Sequence, residues 1–242
     1  MLKIVHLIDD QNPGGVTRYL DFIASHPGMA AIARHEILPV PRTRAARSGI
    51  KADVIVSHLT LSWRGLPGLF GLRALYPGTP LIHVEHSYCE GFAAINVTRR
   101  RRFRAMLRTG YALFDKVVAV SAPQAAWMTR SNLVPADRLT VIPPCVALAP
   151  LAELVAPGAQ VRRIGAIGRL DTQKGFDLLI QAFRALPFRD VTLEIFGDGP
   201  ERAALQALAG SDRRIRFHGH TPPETALACS DAVVMPSRWE PF

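Results

Sequence analysis

Gly168-Arg169-Leu170-Asp171-Thr172-Gln173-Lys174-Gly175 follows a short apolar run. It leads into a stretch where Phe176, Leu179, Ile180, Phe183 and Leu186 recur at helical spacing. An apolar strand, a charged glycine-bounded turn and an amphipathic helix make one βα unit, whose loop lies at the C-terminal edge of a parallel sheet. There the next helix offers unpaired N–H groups and the positive end of its dipole. Arg169, Lys174 and backbone donors would therefore attract the same anion, a diphosphate. By spacing alone the octapeptide serves equally well as a solvated βα loop with two incidental charges. It is neither a Walker A loop nor GxGxxG, so those mechanisms do not apply.

The same alternation extends in both directions. Downstream, strands are predicted at 161–167, 191–196, 215–218 and 232–235, with helices at 176–186 and 201–208. Upstream, Leu2–Ile8 is a β-branched apolar run, followed by the turn-rich DDQNPGG and a helical pattern through Val16, Tyr19, Leu20 and Ile23. Further strands are predicted at 36–40, 53–57, Leu81–Glu85, 116–121 and 139–142. Alternation of this kind implies parallel sheets covered on both faces. Residues 143–158, PPCVALAPLAELVAPG, lack either period and read as a linker. The predicted organisation is an N-terminal Rossmann-like domain over 1–145, a linker over 146–160 and a C-terminal Rossmann-like domain over 161–242. The second domain has about four strands where such sheets commonly have five or six. The chain stops on Trp239-Glu240-Pro241-Phe242, just past a strand, so this domain is expected to be incomplete and the chain truncated.

Composition narrows the class. The 242 residues are 48% hydrophobic, enough for buried cores. Apolar stretches are interrupted well before the ~20 residues of a membrane span. An acidic pair interrupts MLKIVHLIDD where a signal peptide would stay apolar, so residence in the cytoplasm is expected. Cys89, Cys145 and Cys229 have no zinc or disulfide spacing and are expected to be reduced and mostly structural. The net charge of +9, carried almost wholly by arginine, calls for an anionic partner or reflects a general preference for arginine over lysine. No helix-turn-helix, RNP or zinc-finger pattern accompanies the arginines, so no nucleic acid is expected. Residues 96–108, dense in arginine from Arg99 to Arg108, read as a basic helix. With Phe103, Met106 and Leu107 as apolar residues, it would dock on anionic lipid or form a solvated face.

GRLDTQKG, IFGDGPE at 195–201 and MPSRWEPF at 235–242 occur in the order and approximate spacing of glycosyltransferase family 4, which the chain resembles. The resemblance extends to Gly14-Gly15 after the first strand, His86 after Leu81–Glu85, VVAVS at 117–121 and VIPP at 141–144. It implies an α/β fold of GT-B type, with two doubly wound Rossmann-like domains that close a cleft. The acceptor would lie mainly on the first domain and a UDP- or GDP-linked sugar donor mainly on the second, with no metal.

The resemblance further implies that Arg169 and Lys174 neutralise the donor diphosphate, that Glu240 touches the sugar and that His86 lies near the reacting carbon. Gly14 and Gly15 would let backbone N–H groups approach the phosphates or the sugar, and Gly197 would lie at the donor. The family's second glutamate, near the ribose, would fall beyond Phe242. Pro144-Cys145 stands where the family often has asparagine-glycine. By sequence alone Glu85 is as available as His86, Gly14-Gly15 would also make a plain turn after Pro13, and Gly197 and Gly199 would also only shape a βα turn. The implied activity is retaining, hexosyl-type transfer to a glycan or lipid-linked acceptor in cell-surface polysaccharide or glycoconjugate assembly. A peripheral position at the inner face of the membrane would suit such an acceptor. The alternative is a non-catalytic nucleotide- or anion-binding module.

Overall fold

The computed structural model describes all residues except 12–13, 146, 149–150, 152, 155–157, 159 and 242. Most of the expected linker therefore lies outside the described residues. The chain divides into two compact units, Met1–Val146 with Pro241–Phe242, and Ala147–Glu240.

The first unit is built on six parallel strands: β1 (Leu2–Ile8), β2 (Ala33–Pro39), β3 (Val54–Ser57), β4 (Leu81–Glu85), β5 (Lys116–Ala119) and β6 (Leu139–Val141). Their order in the sheet is β2-β1-β3-β4-β5-β6. Between them run α1 (Gly15–Ser25), α2 (Pro27–Ile32), α3 (Leu66–Leu75), α4 (Glu90–Asn96), α5 (Arg100–Tyr111) and α6 (Ala122–Arg130). Side chains alternate between the two faces of a strand, and both faces here are apolar, as parallel strands between helices require. One face carries Val5, Leu7, Ile55, Leu81, Val117 and Ala119 into the main core with Leu72, Leu107, Tyr111 and Met128. The other carries Val56, Val84, Val118 and Val120, with Ile4, Val54 and Ile82 packed against them. Burial of each such side chain contributes roughly 1.5–3 kcal/mol.

The basic helix predicted over 96–108 begins at Arg100 and is preceded by a separate short helix. Its apolar residues face inward. Met106 and Leu107 are buried, and Phe103 packs edge-on against Tyr88, with ring centroids 5.1 Å apart. The exposed face is left to Arg100, Arg101, Arg102, Arg104 and Arg108. Arg102 lies over the Trp63 ring at 5.7 Å.

The second unit holds a four-stranded parallel sheet in the order β10-β7-β8-β9. The strands are β7 (Arg163–Ile167), β8 (Thr192–Phe196), β9 (Ile215–Gly219) and β10 (Ala232–Val233). Helices α7 (Phe176–Arg184) and α8 (Arg202–Ala209) pack together over it, and α9 (Pro223–Ala228) precedes β10. Their apolar stripes close a core of Leu170, Phe176, Ile180, Phe183, Leu193, Ile195 and Leu205. β10 is shorter than the predicted 232–235: Val234 still donates to Gly165 O at 2.9 Å, but Pro236 has no N–H with which to extend the ladder.

Candidate functional site

In an open parallel sheet, a crevice forms where the strand order reverses, because the flanking loops leave in opposite directions. In the second unit that point lies between β7 and β10. The loop after β7 is residues 168–175, and the segment after β10 carries Arg238, Trp239 and Glu240. The two loops are tied together across the crevice. Lys174 Nζ meets Glu240 Oε1 at 2.5 Å, and Gln173 Nε2 donates to Glu240 Oε2 at 3.2 Å and to Trp239 O at 3.1 Å. Arg238 clamps Asp177 with both guanidinium arms, at 2.8 and 2.6 Å, and its backbone N–H donates to Gln173 O at 2.8 Å.

Residues 172–174 form a 3-10 turn capped by the Asp171 side chain, and Gly175 then takes a left-handed conformation with φ 66°. A Cβ on Gly175 would lie 2.3 Å from Pro236 O, so only glycine lets the two loops meet. The backbone at Pro236 thus lies across the start of α7, whose first turn also holds the paired Asp177. This helix N-terminus is not the open anion site that the sequence predicts. Of the two cations only Arg169 remains open, since Lys174 is paired with Glu240. Arg169 is exposed and has no hydrogen bond or ion pair to any described residue. Lys174 lies along Gly168, with its Cδ 3.6 Å from the position a Cβ would take there.

Gly197 has a packing role. Its φ is +141° and an added Cβ would lie 1.8 Å from Gly168 O, so the loop after β8 presses directly on the loop after β7. Gly199 presses in the same way on Leu170 O, at 2.3 Å. Thr172 Oγ1 donates to Glu201 Oε1 at 2.6 Å and Leu170 N–H to Asp198 O at 3.0 Å. Both contacts fix the height at which Arg169 and Lys174 are presented.

In the first unit the strand order reverses between β1 and β3. Gly14 and Gly15 follow β1 and open α1; both are exposed, and a Cβ on Gly15 would meet nothing within 4 Å. Thr17 Oγ1 accepts from Gly14 N–H at 2.9 Å, which orders the turn. His86 stands one residue past β4. Its Nε2 is 2.9 Å from His58 Nδ1, and Tyr19 of α1 packs against both rings, at 5.9 and 6.2 Å. Burial holds the His86 pKa down at about 4, with Glu85 pulling upward and His83 downward; at neutral pH the ring is therefore uncharged.

Burial separates Glu85 from His86, which the sequence leaves as alternatives. Glu85 is 2% exposed, and its oxygens accept from Ser87 N–H at 2.7 Å, Tyr88 N–H at 2.9 Å and Tyr111 Oη at 2.8 Å. Burial alone would raise its pKa, but the bonds from His83 and these amides outweigh it and hold the carboxyl low. Glu85 shapes the turn that carries His86 and has no lone pair turned outward. Sequence reasoning missed His58, Tyr19, Gln173 and the Arg238–Asp177 clamp. His58 alone had a signal, as a histidine directly after a strand.

The profile of Glycosyltransferase Family 4 matches residues 7–149, more than half of the chain. The chain belongs to glycosyltransferase family 4. In this family 4 chain a second profile, Glycosyl transferases group 1, matches residues 161–242. A glycogen synthase of Geotalea uraniireducens is 38% identical over 92 residues, 35% of this chain and only 19% of that protein's length. Among solved structures, Anabaena HepE in complex with UDP and glucose superposes with a TM-score of 0.69 at 19% identity, over 100% of this chain and 76% of that one. Sucrose-phosphate synthase from Thermosynechococcus elongatus gives 0.73 at 17% identity, over 100% and 77%. At these identities the likeness speaks for the fold, which is α/β of GT-B type with two Rossmann-like units.

Proposed function

We propose that this chain transfers a hexose-type sugar from a nucleotide-sugar donor to a glycan or lipid-linked acceptor. The observation that carries the reading is the loop after β7, at the strand-order reversal between β7 and β10, which carries an exposed, unpartnered Arg169 and a Lys174 paired to Glu240 of the segment after β10. As the sugar–phosphate bond breaks, negative charge grows on the diphosphate, and cations already in place stabilise it without reorganising. Glu240 releases Lys174 to the phosphate and turns its carboxylate to the sugar. A neutral His86, packed against Tyr19 of the helix that Gly14 and Gly15 open, suits a reacting carbon that gains positive charge. The UDP and UDP-glucose complexes of HepE support a uridine or comparable nucleotide donor here. Retention of configuration and a role in cell-surface polysaccharide or glycoconjugate assembly follow the family resemblance. Because two side-chain cations meet the phosphate charge, transfer should proceed unchanged in EDTA.

The test is transfer from a panel of UDP- and GDP-sugars, with Lys174→Ala as control. Transfer from at least one donor, reduced at least tenfold by the substitution, supports the reading; tenfold corresponds to ~1.4 kcal/mol of transition-state stabilisation. Nucleotide binding without transfer from any donor would leave a non-catalytic binding module instead. Peripheral binding to anionic lipid is part of the proposal, but it rests on charge alone, through Arg100, Arg101 and Arg104, since the apolar residues of α5 are buried. Equal sedimentation with neutral and anionic vesicles at low salt would remove it.

A further inference from the structure

Behind His86 lies a continuous file of imidazoles. His35 Nδ1 is 3.0 Å from His6 Nε2, His6 Nδ1 is 2.9 Å from His58 Nε2 and His58 Nδ1 is 2.9 Å from His86 Nε2. Successive rings are near-parallel, with interplanar angles of 28°, 29° and 26°. The registers of four strands produce the file. His6 pairs with Ile37 in β2 and with Val56 in β3, so His35 stands two residues before one partner and His58 two residues after the other. Ser57 pairs with His83, which puts His86 two residues further along again. Each step crosses one strand and advances two residues, so every ring stays on one face. The row runs diagonally from the edge strand β2 to the C-terminal edge of β4. His6 and His58 are 4% and 7% exposed.

Every link joins an Nδ1 to the next ring's Nε2. A neutral imidazole carries one N–H, so a ring that donates through Nδ1 obliges the next ring to do the same, and one that donates through Nε2 imposes that choice in turn. Four neutral rings bring four N–H groups; three fill the links and the fourth emerges at one end. The far end is His35 Nε2, which is buried without a partner. The near end is His86 Nδ1. Burial lowers the pKa of every member, to about 4 for His6 and His86. Tyr19 from α1 faces the file, while Glu85 and His83, on the other face of β4, act on His86 only through their electrostatic field, as His83 does on His58. The nitrogens pair edge to edge and do not converge on a point, and among the described residues no group of three His, Cys, Asp or Glu is placed to hold a metal.

We propose that His35, His6 and His58 are positioning residues for His86, and that the four rings form one unit whose tautomers are set together. The imidazole presented to the sugar then has a fixed orientation and one fixed hydrogen-bonding character. The consequence for transfer rests on the role given to His86 above; the coupling itself does not.

The test is a long-range 1H–15N correlation spectrum of the full chain labelled at histidine, recorded without substrate near neutral pH. All four rings should show the same tautomer. His6→Phe, which keeps ring bulk and removes both nitrogens, should shift the ring nitrogens of His86 two links away and leave its backbone amide in place. His35→Phe, at the half-exposed edge, should do so more weakly and serves if the buried variant fails to fold. Each variant should lower kcat for sugar transfer at least threefold without changing KM for the donor. Mixed tautomers in the unaltered protein, or His86 nitrogens unmoved in the variants that fold, overturn the proposal. Normal transfer by His86→Ala would instead remove the role of His86 and leave the tautomer result standing.

Discussion

Glu240→Gln has opposite expected effects on donor binding and on transfer. Glu240 lies 2.5 Å from Lys174 Nζ, with the two side chains 15% and 27% exposed. In this crevice the carboxylate both occupies the ammonium and repels an incoming diphosphate. A partly screened ion pair of this kind contributes about 1 kcal/mol net. Glutamine keeps an oxygen for Lys174 and removes the charge, so about that much is released to the phosphate. UDP affinity should then rise about fivefold, since 1.4 kcal/mol is tenfold. The gain should shrink as salt rises and screens the pair. Isothermal titration with UDP at low and high salt measures the shift, and a sugar-transfer assay on the same preparation should show at least a tenfold loss. A tenfold weakening of UDP binding would overturn this expectation, because it would mean that Glu240 holds Lys174 in place for the nucleotide.

Three further outcomes follow from the packing. Gly197→Ala combines a φ of +141° with a Cβ 1.8 Å from Gly168 O; backbone strain and overpacking together should lower stability by roughly 3 kcal/mol, read by urea denaturation, with UDP binding lost in parallel. Tyr111→Phe removes a 2.8 Å bond to the buried Glu85 carboxylate and should destabilise by about 1.5–3 kcal/mol; an unchanged urea midpoint would contradict the reading of Glu85. His6 and His86 have folded pKa values of about 4, below the ordinary value near 6.5. Between those values the unfolded chain binds more protons, so stability is full above pH ~6.5 and falls toward pH ~4. The slope should reach about 1.4 kcal/mol per pH unit for each ring, and His6→Phe should flatten it; equal acid sensitivity of variant and unaltered protein would refute this.

Much of the fold is legible because apolar runs report parallel strands directly. β1 and β4 lie at the predicted bounds, while β2 starts earlier, at Ala33, because an edge strand tolerates Arg34 and His35, which the apolar pattern excludes. The Lys174–Glu240 and Arg238–Asp177 contacts join residues 66 and 61 positions apart, and no local pattern encodes them. The same holds for His35, His6, His58 and His86: each is an unremarkable histidine near a strand until three strand registers align them. Gly197 reads in sequence more as a turn former than as a donor contact, and the oxygen of Gly168 beneath it gives that packing role. The basic stretch from Arg99 to Arg108 is readable as a helix, but which side its apolar residues take depends on Tyr88 and the core behind it.

The proposed function requires Arg169 and Lys174 to hold a diphosphate between them. Its most direct measurement is the dissociation constant for UDP of the Arg169→Ala and Lys174→Ala variants and of the double variant. Each single substitution should weaken binding about tenfold and the double about a hundredfold, or ~2.7 kcal/mol, with circular dichroism unchanged. A double variant that binds UDP within about twofold of the unaltered protein, a difference of only ~0.4 kcal/mol, would contradict the claim.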